Sequence, residues 1–525
     1  MKQTQWQVGI AAVLVLAVGV TSSLAADTTS KEVRTEAYVQ EPPAEEHHWH
    51  AVAPDLMEEF HHPTDWLEMG LDFRFREVYG RNVLSTNEQA GDDWPNPADR
   101  GNYNNYHWQR WRTRWSQKWL ISDQVTFNTR LTWEFWTHCA PDDHVPVPKL
   151  EPFFAEKNWD CDEAILDHFN VRWQNFLDMP LTVTAGRQDI ILGTGWLVLD
   201  GTPGDGSRTI FFDALRGQYQ LSESTKLDMI YIQQYDDPGK WLKPINHGAV
   251  DDRRNLTQAQ DEKGAILYLT HKLGEKTNSD AYYIYKKERQ SELNEWWVDQ
   301  GWTSNGGDDA EVHTFGGRLH GALNENWSYS AEGALQFGNS RYFNGDAQDL
   351  CAQGANTRLG YAFLDELKNE IHIGAEYLSG DDPDTEGDDE RFNPLWGDWP
   401  QYQRGGDLQS YLWAFEGEGL GNVSNLIRFG IGHSFKPTKT WTIATDYNLY
   451  WADENSTVGG APPSTLVLSD SGKFRGHMLS GIATYSCCAK FKTHFLLDYF
   501  IPGGYYESPA GDESLFARMN VEWTF

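Results

Sequence analysis

From Trp66 to Phe525 one pattern keeps returning. Apolar side chains occupy every second position for about ten residues, the length of a tilted membrane-spanning strand, and a turn follows. In the first such stretch Leu67, Met69, Leu71, Phe73 and Phe75 share one face, and Glu68, Asp72, Arg74 and Arg76 share the other. The same alternation sets Trp111, Trp115 and Trp119 against Arg110, Arg112, Arg114 and Lys118. It also sets Val125, Phe127, Leu131, Trp133 and Phe135 against Asn128, Arg130, Thr132 and Glu134. A period of two implies strands with one apolar face, and no later run is apolar enough for a membrane helix. Trp, Tyr and Phe number 24, 23 and 25, an aromatic load suited to the girdles of a transmembrane barrel.

The connections sharpen this reading. Tight turns are expected at Ser122-Asp123, Asp178-Met179-Pro180, Ser222-Glu223-Ser224, Gly274-Glu275, Asn324-Glu325 and Lys436-Pro437-Thr438. Between them lie long acidic loops such as 80–106 and 137–163. Short turns on the periplasmic side and long loops outside are the layout of a bacterial outer-membrane protein. The fold class is therefore all-β: a transmembrane antiparallel β-barrel of about 18 strands, by that alternation of turns and loops. The candidate strand at Leu408–Phe415 would reverse the direction demanded by the turn at Lys436, so it belongs to an outer loop.

The start of the chain reads as an export signal. Lys2 precedes an uncharged run from Val8 to Val20, too short to span a bilayer, and Ser23-Leu24-Ala25 offers a cleavage site after Ala25. Residues 26–65 follow as a flexible periplasmic segment, carrying Glu41-Pro42-Pro43 and the histidines His47, His48, His50, His61 and His62, read as a polar tail. The barrel occupies 66–525 and lies in the outer membrane, with membrane lipid as its surroundings. Cys139 and Cys161 flank one polar loop and are the disulfide candidate in an oxidising compartment, whereas a bridge between the adjacent Cys487 and Cys488 would be strained. No Ser/His/Asp constellation or zinc spacing is present, so no catalytic residue, metal, cofactor or nucleic-acid partner is expected. Asp382–Gly387 begins like a calcium loop, but Asn393 stands where the closing Glu belongs.

A barrel of roughly 18 strands encloses an aqueous channel unless loops fill it. Inward parity collects Arg74, Arg76, Arg110, Arg112, Arg114, Lys118, Arg130, Arg172, Arg216 and Arg318, against Glu68, Asp72, Glu134, Glu332, Asp446 and Asp498. Most of the arginines fall on the first strands, giving one basic wall that would favour anions. The alternative is that they pair with neighbouring carboxylates and simply keep the wall wet. The net charge of −34 is concentrated in loops such as Asp381–Glu390 and does not oppose a basic wall.

The stretch Leu181-Thr182-Val183-Thr184-Ala185-Gly186-Arg187-Gln188-Asp189, then Gly201-Thr202-Pro203, then Phe211-Phe212-Asp213-Ala214-Leu215-Arg216, resembles the alginate-export porin family. Phe392-Asn393-Pro394-Leu395-Trp396 and Asn425-Leu426-Ile427 fit that family's long loop and returning strand, and the resemblance spans about 65–525, with Ala185 in place of the usual Val. It implies an 18-stranded barrel whose electropositive lumen passes anionic polysaccharide outward, working with periplasmic export proteins. Strict alternation would aim Arg187 at lipid. A bulge at Gly186 would turn it inward to pair with Asp213 near the constriction, with a purely structural ion pair as the alternative. The last strand, ending on Trp523-Thr524-Phe525, resembles the signal read by the barrel-assembly machinery. A general diffusion porin and, with less support, a barrel-scaffolded enzyme or adhesin are the competing functions.

Overall fold

The computed structural model describes residues 59–83, 86, 105–140, 159–160, 164–199, 211–235, 240–245, 261–289, 308–341, 347–385, 387–397, 408, 424–455, 467–508 and 510–525. The expected export signal, most of the segment 26–65, Cys161, and Gly201-Thr202-Pro203 lie outside these residues.

The strands follow the alternation. The first six are β1 (Leu67–Arg81), β2 (Asn105–Leu120), β3 (Val125–Ala140), β4 (Ala164–Trp173), β5 (Leu181–Gln188) and β6 (Phe212–Ser222). Then come β7 (Thr225–Gln234), β8 (Glu262–Lys272), β9 (Thr277–Glu288), β10 (Asp308–Ala322), β11 (Trp327–Arg341) and β12 (Ala347–Ala362). The last are β13 (Glu370–Leu378), β14 (Leu426–Phe435), β15 (Trp441–Trp451), β16 (Phe474–Cys488), β17 (Phe491–Pro502) and β18 (Ser514–Thr524). The sheet counts 20 strands, but Trp159–Asp160 and Asp388–Asp389 are short pieces laid on β3 and β12, and the other 18 close the barrel.

Each strand runs antiparallel to the next, and β1 pairs with β18 from Asp72↔Thr524 to Arg81↔Leu515. Beyond that ladder Leu71 and Phe525 exchange two backbone hydrogen bonds, of 3.1 and 2.7 Å. Closure removes the unpaired edge that hydrocarbon could not satisfy. β13 pairs directly with β14, Leu378↔Leu426, so no strand of the sheet lies between them; of the stretch Leu408–Phe415, expected in an outer loop, only Leu408 is among the described residues. The six expected tight turns all join neighbouring strands. At Asn324 the side-chain oxygen accepts from the N–H groups of Asn326 and Trp327, both at 2.9 Å, which is why Asn suits that corner.

The faces of the wall invert the arrangement of a soluble protein. Leu215, Leu267, Phe315, Ile373, Phe429 and Leu497 point outward and are 50–54% exposed, an apolar band made for lipid. At the short-turn end, Trp441, Tyr485, Phe491, Trp523 and Phe525 touch in series, with ring centroids 5.1 to 6.4 Å apart, forming part of an aromatic girdle. Inside the barrel sit charged side chains and two inturned segments. β5 stops early, and Ile190, Leu192, Trp196, Leu197 and Val198 enter the lumen, where they are buried. Phe392, Leu395 and Trp396 of the β13–β14 connection meet them there: Val198 bridges Trp396, and the Trp196 and Phe392 rings stack at 5.4 Å.

Candidate pore lumen

Register places the arginines of β1 and β2 face to face. Arg74 lies opposite Arg112 and Arg76 opposite Arg110, while Asp72 lies opposite Arg114 and Arg112 opposite Glu134. Like charges directly opposed across strands are unfavourable, so the wall requires interleaved carboxylates. Glu134 supplies one: its two oxygens take Arg74 at 3.3 Å and Arg110 at 2.6 Å. Asp72 takes Arg112 at 2.9 Å, and Asn520 on β18 accepts from Arg76 at 3.2 Å.

A bulge completes the basic wall. The register of β3 against β4 shifts between Arg130 and Leu131, leaving Asp167 as the extra residue. Asp167 accepts from Arg130 at 2.7 Å and from Thr132 at 2.8 Å, while His168 reaches Asp189 at 2.8 Å. Asp189 also binds Arg130 in a fork, at 3.0 and 3.1 Å, and so tethers the first residue beyond β5 to the wall. The arginines are deeply enclosed: Arg74 is 0% exposed, and Arg112 and Arg114 are buried.

The far wall carries a different chemistry. Arg216 pairs with Asp228 and Arg318 with Asp280, each at 2.8 Å through Nε. Tyr268 donates to Asp280 and Tyr282 to Glu332, with the two rings stacked at 5.4 Å. Above them the inturned segments are anchored. Trp396 donates its indole N–H to Glu262 at 2.7 Å, Trp196 donates to Glu376 at 3.1 Å, and Lys286 donates to the Leu395 carbonyl at 2.9 Å. Gly264 makes the first anchor feasible, since a Cβ there would lie 2.2 Å from the Trp396 ring. The lumen is thus bounded by arginines on one side and by loop aromatics held on carboxylates on the other.

Of the residues singled out from sequence, Arg74, Arg76, Arg110, Arg112, Arg114 and Arg130 converge on the basic wall. Arg216 and Arg318 lie on the far wall. Arg172 shares the inward face near the turn end, opposite Thr126 and Thr184, and is exposed away from the cluster; Lys118 pairs there with Glu68 at 2.8 Å. Arg187 and Asp213 do pair, through two bonds of 2.9 and 3.0 Å. The expected bulge at Gly186 is not met. Gly186 takes φ +116°, a conformation open to glycine, yet pairing continues without a shift on both sides of β5. The reason is that β5 ends at Gln188, one residue after Arg187, so Arg187 fills the wall where β4 loses its partner: it donates to the Leu166 carbonyl and lies 3.8 Å from the Phe211 ring. Asp213 also accepts from Trp241, whose ring neighbours Phe169 on the face of β4 opposite to Asn170. Sequence reading missed the inturned segments. Their signal was the apolar run Ile190-Ile191-Leu192, unusual for a solvated outer loop.

A closed barrel with a lipid-facing apolar band, an aromatic girdle and a polar lumen narrowed by loops defines an outer-membrane pore protein. The sequence profile for alginate export matches residues 65–507, and the chain belongs to that family. Its fold is similar to that of Pseudomonas aeruginosa OccK8 (OprE), at a TM-score of 0.50 and 8% identity over 87% of this chain and 98% of that one. Acinetobacter baumannii OccAB4 aligns at a TM-score of 0.48 and 11% identity, over 88% and 99%. At these identities the similarity concerns the architecture alone. A search of curated protein sequences found no match.

Proposed function

We propose that this pore passes an anionic polysaccharide of the polyuronate class, with the arginine wall as its contact surface. The observation that carries the reading is the six-arginine cluster on three adjacent strands, in a chain belonging to the alginate export family. Guanidinium groups match carboxylates in a planar fork, so a sugar carboxylate can take over Arg112 from Asp72, whose side chain stays a quarter exposed, with little net change in pairing. Such partner exchange keeps each contact weak and repeated, which transport needs. Export outward would have periplasmic partners meet the short-turn end of the barrel, and the strand ending at Phe525 would present the assembly signal. A general diffusion porin is the second reading, favoured by the carboxylate-rich far wall, which leaves the lumen as a whole mixed in charge.

Purified pores in planar bilayers test the proposal. Added polyuronate is expected to block the ionic current of the wild type at concentrations where neutral dextran of equal size does not. The block should weaken at least about tenfold when Arg110, Arg112 and Arg114 become Ala, since each lost charge-assisted contact is worth about 1.5–3 kcal/mol before competition from the wall's own carboxylates. Equal block by dextran, or by polyuronate on the variant, would leave the diffusion porin as the better account.

A further inference from the structure

Cations also gather at one place on the outside of the barrel, at the end opposite the short turns. On the outward face, Lys263 of β8 stands directly across from Lys287 of β9. Two like charges in a cross-strand pair oppose sheet pairing unless something anionic joins them. Lys287 reaches Glu311 at 3.1 Å, whereas Lys263 enters no ion pair with a described residue. Just beyond, Arg289 is 66% exposed on its side chain and lies 3.7 Å from Asp261, which Lys240 approaches at 3.5 Å. Among the described residues the patch sets Lys240, Lys263, Lys287 and Arg289 against Asp261 and Glu311, with Asp309 of β10 near Lys287 but paired with Arg341 at 3.2 Å, in a chain of net charge −34.

Its height on the wall gives the patch meaning. Two positions further into the membrane, Tyr285 and Ala265 form the next outward pair, with His313 beside Tyr285. Below that come Tyr283, Leu267 and Phe315, the last two within the lipid-facing band. Two residues advance a strand by about 7 Å, so the ammonium groups sit one layer above the interfacial aromatics. That is the depth of lipid headgroups, in the leaflet facing outward.

We propose that Lys263, Lys287 and Arg289, with Lys240 at the flank, hold the phosphate of an outer-leaflet glycolipid of the lipopolysaccharide type. The phosphate meets the opposed lysines while the acyl chains lie along the band below. The contact fixes the rotational setting of the pore in its membrane and covers the wall at β7–β9, behind the anchor of Trp396.

The test uses the full chain refolded in detergent and titrated with purified lipid A, bisphosphorylated or dephosphorylated, with binding read by native mass spectrometry and thermal shift. The wild type should bind the phosphorylated form and lose it on dephosphorylation. The triple change Lys263→Gln, Lys287→Gln and Arg289→Gln should weaken binding at least about tenfold, since a basic side chain near an anionic headgroup contributes about a factor of five. Lys439→Gln, at the short-turn end, should change nothing, and the conductance of the triple variant should match the wild type. Heat-modifiable migration reports folding; should the triple variant misfold, Arg289→Gln alone carries the test, with a loss of about fivefold expected. Equal affinity for dephosphorylated lipid, full affinity in the folded variant, or stabilisation of the same size by inorganic phosphate alone would each overturn the proposal.

Discussion

Replacing Glu134 by Gln is expected to make the pore more anion-selective and the barrel less stable. Glu134 is buried and its two oxygens bridge Arg74 and Arg110. Gln keeps the shape and one acceptor but removes the charge that lets two strands present arginines toward one another. Breaking a buried pair by removing one partner typically costs about 3–5 kcal/mol. The lower end applies here, because Asp72 and Glu522 remain beside Arg112 and Arg74 in the ladder. Urea unfolding in detergent micelles, followed by tryptophan fluorescence, should show the loss, and reversal potentials should move toward anions. The opposed signs make the result diagnostic, since a mere folding defect would lower stability without raising selectivity. Changing Arg110 and Glu134 together should cost less than the sum of the two single changes.

The second large effect concerns the inturned segments. Trp396 lies over Gly264, donates to Glu262, meets the Phe212 ring at 6.0 Å, and exchanges backbone hydrogen bonds with Leu197 and Leu199. Trp396→Ala removes the indole from every one of these side-chain contacts, a packing loss of about 3–5 kcal/mol. The barrel strands pair independently of the loops, so the loss falls on local release of the segment rather than on global unfolding. A loss of about 3 kcal/mol shifts a local closed-to-open balance by roughly a hundredfold. Single-channel conductance should therefore rise severalfold while heat-modifiable migration stays that of a folded barrel. A folded variant with wild-type conductance would show that Trp396 is not what narrows the lumen.

Much of the wall was legible in the sequence because a barrel strand is a strictly local code. Alternation gave the two faces of β1, β2 and β3, and turn chemistry located strand ends, at Ser122 between β2 and β3 and at Asn324 between β10 and β11. The direction rule at Lys436 removed Leu408–Phe415 from the strands. Of that stretch only Leu408 is described; it is buried, and its N–H donates to Asp498 on the lumen wall at 3.3 Å. The arginine wall followed from parity, since outward cations near the bilayer midplane cost about 2–4 kcal/mol each. What stayed hidden depends on distant partners. The bulge that turns both Asp167 and His168 inward answers to Arg130 and Asp189. The inward course of Ile190 to Val198 answers to Glu376, reached through Trp196 from 180 residues away. Arg187 was ambiguous for the same reason: its place depends on where β5 ends relative to β4, which alternation alone does not reveal.

We propose that one lumen wall acts on permeating ions as a positive surface. It is tested most directly by single-channel reversal potentials under a salt gradient, on the wild type and on the variant with Arg110, Arg112 and Arg114 changed to Ala. Anion selectivity that weakens clearly in the variant is the expected result. Cation selectivity in the wild type, or a reversal potential unmoved by the three substitutions, would contradict it.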